Sequence, residues 1–89
     1  MMILTYDIGT TGVKTCLFRL NEPDSPGGAS VSLEDASFAG YALSVLPNGG
    51  VEQNPREWWE AMCKTTRQLA DRRPEACAQI AGISFCAQA

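Results

Sequence analysis

The chain has 89 residues, with seven Lys+Arg against ten Asp+Glu and a formal net charge of -3. That is enough chain for one small domain, with no basic surplus to hold nucleic acid or an anionic membrane by counterion release. Hydrophobic residues make up 45% of it, the ordinary globular fraction, which excludes wholesale disorder. No apolar run approaches the roughly 20 residues that cross a bilayer. The opening stretch MMILTYDIG lacks a basic start and soon meets Asp7, so it does not read as a signal peptide.

The chain contains no His. That removes every His-based catalytic triad and most zinc templates. Cys16, Cys63, Cys77 and Cys86 form no Cys-x-x-Cys pair, and each sits in a mainly apolar stretch. Four Cys formally allow a disulfide framework, but nothing points to secretion. They read as buried thiols in a reducing, cytoplasmic compartment.

In chain order, residues 2–6 are a short apolar run that suits a buried strand. A turn-rich stretch follows, Asp7-Ile8-Gly9-Thr10-Thr11-Gly12, and then residues 13–20, whose Val, Thr and Phe favour a second strand. The two predict a β-hairpin. Residues 21–32, NEPDSPGGASVS, read as a loop, and residues 36–43 as a third strand carrying Phe38 and Tyr41. Pro47-Asn48-Gly49-Gly50 is the next break.

A helix start follows with its mechanism visible: Asn54 as N-cap, Pro55 at the first helical position, and Glu57 at capping-box spacing. Trp58, Trp59, Met62, Cys63, Thr66, Leu69 and Ala70 fall on one stripe, which predicts the face turned to the core. Pro74 ends the helix near Arg73. Residues 80–86 read as a fourth strand. A chain that stops at the tip of an apolar strand is expected to be the N-terminal piece of a longer protein.

The stretch from Asp7 to Gly12 carries the most chemistry. A carboxylate leaves the end of a hydrophobic strand, two Gly permit a tight turn, and two Thr set hydroxyls beside backbone N–H groups. A phosphate with its Mg²⁺ needs such donors and such a hard oxygen ligand. The sequence is not a P-loop, because Val13 separates Gly12 from Lys14 and a strand follows in place of a helix. On local chemistry alone, a plain hairpin turn capped by Asp7 is the competing reading.

Asp7-Ile8-Gly9-Thr10-Thr11-Gly12-Val13-Lys14 resembles the first phosphate motif of the sugar-kinase and actin-like ATPase superfamily. Gly50-Val51-Glu52-Gln53-Asn54-Pro55-Arg56-Glu57-Trp58-Trp59 resembles the segment of FGGY carbohydrate kinases that leads into a Trp-containing helix. Ile80-Ala81-Gly82-Ile83-Ser84-Phe85-Cys86-Ala87-Gln88 is similar to that family's fourth strand, which ends in a Gln beside the sugar. Here Cys86-Ala87 stands where the family usually has a run of small residues.

The resemblance implies an α/β, ribonuclease H-like fold, truncated, in the order β-β-β-α-β. Residues 1–89 would be the N-terminal part of the first of two such domains. It implies transfer of the ATP γ-phosphate to a sugar hydroxyl, with ATP and Mg²⁺ as cofactors. Asp7, Gly9, Thr10 and Thr11 would meet the phosphates, Asp7 would serve Mg²⁺ directly or through water, and Gln88 would bind the sugar. The general base and the adenosine motifs would lie outside these residues, so the segment alone is expected to be inactive.

Glycerol kinases of the family usually follow the matched Gln with Arg and Glu, whereas Ala89 follows Gln88 here. That argues against glycerol; xylulokinases usually place Met there, and the expected substrate is a ketose or polyol, most like xylulose. Nucleic acid and membrane are not expected partners. The segment is expected to associate with itself, and homodimerisation is open to the parent. Two other classes stay in view: a piece of an actin-like chaperone ATPase, and a stand-alone phosphate-binding domain.

Overall fold

The computed structural model describes residues 1–21, 28, 30–42, 44–45 and 47–87. Strands β1 (Met2–Ile8), β2 (Gly12–Asn21) and β3 (Ser30–Gly40) form an antiparallel meander. Two short strands, β4 (Ser44–Val45) and β5 (Val51–Glu52), pair antiparallel across the Pro47-Asn48-Gly49-Gly50 turn. That turn is held by the Asn48 side chain, which accepts from the Gly50 N–H at 2.9 Å, and by Gly49 at φ 85°. Helix α1 (Pro55–Arg72) and the single turn α2 (Pro74–Cys77) then lead to β6 (Ile80–Ala87). β6 joins the sheet parallel to β1, giving the order β3-β2-β1-β6. A parallel neighbour requires a crossover, and α1 supplies it. This is a small mixed α/β sheet, and its four main strands and long helix follow the expected order.

The first three strands are longer than the sequence suggests. The β1–β2 ladder runs through Asp7↔Lys14 and Ile8↔Val13, so the predicted six-residue loop shrinks to Gly9–Thr11. β3 begins at Ser30, inside the stretch expected to be loop. Pairing with β2 as far as Asn21↔Ser30 extends it, with an irregularity between Leu17 and Phe18. Cross-strand partners decide this, since Ser, Glu and Asp in residues 30–35 carry little strand propensity of their own.

Met2, Leu4, Tyr6, Val13, Leu17 and Ala39 point from the sheet toward Ala61 and Leu69 of α1, and together they form the core. The helix starts as expected: the Asn54 side chain accepts from the Arg56 N–H at 3.0 Å. Its core face overlaps the predicted stripe at Leu69, with Met62 packed beside it, and departs from it elsewhere. Ala61, Thr65 and Leu69 are buried, whereas Trp59 is 65% exposed. The true face is rotated by roughly 90° from the Trp59–Met62–Thr66 stripe, about one residue's turn. The cause is a set of polar links to the sheet. Thr65 donates back to the Ala61 carbonyl at 2.9 Å, which leaves the Thr15 hydroxyl to donate to Thr65 at 2.8 Å. Tyr6 bonds Thr66, and Ser37 donates to Gln68. β1, β2 and β3 thus each reach α1 through one hydroxyl; the Thr15 and Ser37 links lie on the buried side of the helix, and Tyr6 meets Thr66 at its border with the predicted stripe.

The far end of the helix is tied by charge. Arg72 grips Asp35 with Nε at 3.0 Å and a terminal nitrogen at 3.3 Å, and it also donates to the Ala36 carbonyl at 2.8 Å. The four cysteines are free, but none is buried: three are half-buried and Cys86 is exposed. The buried-thiol reading therefore fails, because the apolar stretches around them are only partly covered. Burial, with the Asp35 charge second, raises the Cys77 thiol pKa. Among the described residues no helix is long and apolar enough to cross a membrane.

Candidate functional site

Gly9, Thr10 and Thr11 connect β1 to β2, and the Gly9 N–H donates to the Gly12 carbonyl at 2.9 Å to close the turn. Asp7 is exposed, one residue from the end of β1, with Lys14 as its neighbour on β2 and Cys86 on β6. Thr10 and Thr11 are exposed at the tip. The structure therefore gathers Asp7, Gly9, Thr10 and Thr11 at one end of the sheet. Lys14 is exposed beside Asp7. β6 reaches the same end, with Ala87 opposite Ile8. Gln88, expected at the sugar, lies outside the described residues.

Neither Gly9 nor Gly12 has a positive φ. A Cβ on Gly9 would come no closer than 3.5 Å to the Gly12 carbonyl oxygen, an ordinary contact. On Gly12 it would lie 2.3 Å from the Phe38 ring and 2.6 Å from the Ala39 carbonyl oxygen. Gly12 is thus a floor for Phe38, where an aromatic side chain covers a strand glycine, and not a torsional hinge.

Two residues that sequence reasoning did not assign complete the turn. The Tyr41 hydroxyl donates to the Gly9 carbonyl and, at 3.3 Å, to that of Gly12. The Tyr41 N–H donates to the Thr11 carbonyl at 3.0 Å. The Gln53 side-chain amide donates to the Thr10 carbonyl at 2.6 Å. Burial raises the Tyr41 pKa, and the Asp7 charge pushes in the same direction, so the hydroxyl keeps its proton and stays a donor. One signal was available in the sequence: Tyr41 follows Gly40, the strand partner of Gly12, and both are small enough to let a tyrosine fold back over the turn.

Trp58 and Trp59 lie near the start of α1. The Trp58 indole N–H is buried without a partner among the described residues. Trp59 joins Tyr6, Met62, Cys63, Thr66 and Arg67 around an apolar groove of about 360 Å³. Neither indole belongs to the buried core.

No family model matches the chain. Over 83 residues it is 36% identical to a gluconokinase of Bacillus subtilis (strain 168), a match covering 93% of this chain and 14% of that protein. A crystal structure described as a xyloylose kinase from Brucella ovis superposes with a TM-score of 0.82 at 27% identity, covering 99% of this chain and 17% of that one. The chain is therefore similar to sugar kinases in sequence and in backbone, and it spans less than a fifth of either relative.

Proposed function

We propose that this chain is the N-terminal part of the first ribonuclease H-like domain of an FGGY-type carbohydrate kinase, cytoplasmic and ATP-dependent. The observation that carries the reading is the exposed carboxylate of Asp7 beside the Gly9-Thr10-Thr11 turn, in a chain alike along 93% of its length to a sugar kinase. The sheet order β3-β2-β1-β6, three antiparallel strands and a parallel fourth after a helix, supports the fold assignment. The reaction is transfer of the ATP γ-phosphate to a hydroxyl of a ketose or polyol, xylulose-like in class. The segment supplies one wall of the sugar site, with Gln88 as its sugar-binding residue. The general base and the adenosine pocket belong to parts of the kinase outside these residues.

Thr10 and Thr11 offer hydroxyl donors for phosphate oxygens, and the turn holds them beyond the end of the sheet. Asp7 suits Mg²⁺ of a particular kind. Among the described residues no group of three His, Cys, Asp or Glu could hold a metal, so a cage made of protein alone is not available. Mg²⁺ bound to a nucleotide needs only one or two carboxylates besides phosphates and water. When bound, Mg²⁺ neutralises charge that develops on the transferred phosphoryl group. Lys14, next to Asp7 in the ladder, sets a positive charge near the turn.

The test is Asp7→Ala in the kinase that contains this segment, assayed by ADP release with a panel of ketoses. Loss of a charge-organising group at such a site lowers kcat by roughly 100-fold or more, while the sugar KM moves by less than about threefold, because Asp7 serves phosphate and not sugar. A near-normal kcat in a correctly folded variant removes Asp7 from the reaction.

A further inference from the structure

Three consecutive peptide units of the turn have their carbonyls held from outside it. Tyr41 takes those of Gly9 and Thr11, and Gln53 takes that of Thr10. Among the described residues all peptide bonds are trans. In a planar trans unit the N–H points opposite to the C=O. Fixing the Gly9 carbonyl therefore fixes the direction of the Thr10 N–H, and fixing the Thr10 carbonyl fixes that of the Thr11 N–H. Each N–H is aimed away from the residue that holds its partner carbonyl.

We propose that Tyr41 and Gln53 are positioning residues of the Gly9–Thr11 turn, holding its carbonyls so that its backbone donors keep one orientation toward a phosphate oxyanion. The inference rests on the phosphate reading above and adds the means by which the turn is pre-formed. Pre-formation matters because an oxyanion is stabilised best by dipoles that need not reorganise when it arrives. A short turn of glycine and threonine would otherwise sample several conformations.

The holders also report on neighbouring elements. Gln53 lies directly before the N-cap of α1, and Tyr41 directly after β3. The turn is therefore fixed from the two sides that flank it, by segments distant in sequence. Tyr41 is suited to the task beside a carboxylate, because burial and the Asp7 charge both keep its proton on. Gln53 contributes a neutral amide donor, which neither attracts nor repels an incoming anion as a whole charge would.

The experiment uses the ¹⁵N-labelled chain, with Mg²⁺-pyrophosphate as the probe. Tyr41→Phe removes the hydroxyl and keeps the ring, and Gln53→Glu replaces the donor with an acceptor of equal size. Each should broaden or double the Gly9–Gly12 amide signals while leaving those of Leu17 and Leu69 unchanged. Each should also weaken Mg²⁺-pyrophosphate binding by about fivefold, the worth of one net hydrogen bond. Gln53→Lys, which restores a donor of similar reach, should sharpen the signals again at an unchanged melting temperature. Wild-type turn signals and affinity in both removal variants overturn the positioning role. If instead pyrophosphate fails to shift the wild-type turn amides, the phosphate reading falls, and the ligand-free spectra of the variants still decide whether Tyr41 and Gln53 order the turn.

Discussion

One sheet has two unlike halves. Beneath α1, Thr15 and Leu17 on β2 meet Thr65 and Leu69 with no exposure at all. On the other side, β6 carries Ile83 and Phe85, 56% and 61% exposed, in register with Leu4 and Tyr6. Composition does not separate the halves, since β6 is at least as apolar as β2. Geometry does. A helix with its side chains is about 10 Å wide, and strands lie about 4.8 Å apart. One helix therefore covers about two strands, and α1 sits over β2 and β3. Tyr6 marks the border, bonding Thr66 on one side and stacking on Phe85 at 5.3 Å on the other. Burial here is decided by what lies across, and the apolar pattern of a strand does not say whether anything does.

Core truncation should show the contrast most strongly. Leu17→Ala removes a fully buried side chain and should cost about 3 kcal/mol. Phe85→Ala deletes a larger side chain, yet most of it already faces solvent, so the loss should stay below about 1 kcal/mol. Urea unfolding of both variants decides the matter. Equal losses would mean that the β6 half is covered in solution, which would break the comparison.

Association comes next in size. An exposed apolar strip at Ile83, Phe85 and Trp59, beside the outer edge of β6, invites contact between copies. Sedimentation equilibrium at micromolar concentration should show association that grows with concentration. Phe85→Lys should weaken it by about tenfold, since a charge on the strip must be desolvated in any contact. A single monomeric species throughout, with no binding of an apolar dye, would show that the bare half is stable as it stands.

Much of this was legible in the chain. The order of the four main strands and the long helix, the hairpin, the Asn54 cap and the helix stop at Pro74 were all written in local chemistry, and the structure bears them out. The short β4–β5 pair and α2 were not foreseen, and three further features were not legible. The extension of β3 back to Ser30 depends on partners in β2, which propensity does not see. The helix face was misread because the Trp58–Trp59 stripe is the more hydrophobic one, while Thr15 and Ser37 select Thr65 and Gln68. Asp7, Gly9, Thr10 and Thr11 were found from one contiguous motif, whereas Tyr41 and Gln53 reach the turn from 29 or more residues away. Contacts made at such distances in sequence leave no local pattern to read.

The smallest effect tests the clamp at the other end of the covered half. Asp35 accepts from Arg72 on two oxygens, from the Ala36 N–H at 2.8 Å and from Arg73 at 3.4 Å. These contacts, the Arg72 hydrogen bond foremost, hold its carboxyl below the usual carboxylate range against the opposing effect of burial. Arg19 does the same for Glu34. A depressed folded-state pKa means that the unfolded chain takes up protons first as the pH falls. The stabilisation is therefore complete above the ordinary carboxylate pKa and is lost as the pH drops through the lowered one. Asp35→Asn should destabilise the fold by about 1 kcal/mol at pH 7, a modest figure because the arginines are half in solvent. The gap between variant and wild type should close steadily between about pH 5 and pH 2. Other carboxylates titrate in that range too, but they do so equally in both proteins and cancel in the difference. Urea unfolding across the range measures it. A gap that stays constant with pH would mean that Asp35 holds the end of α1 by shape and hydrogen bonding alone, with its charge irrelevant to the seam.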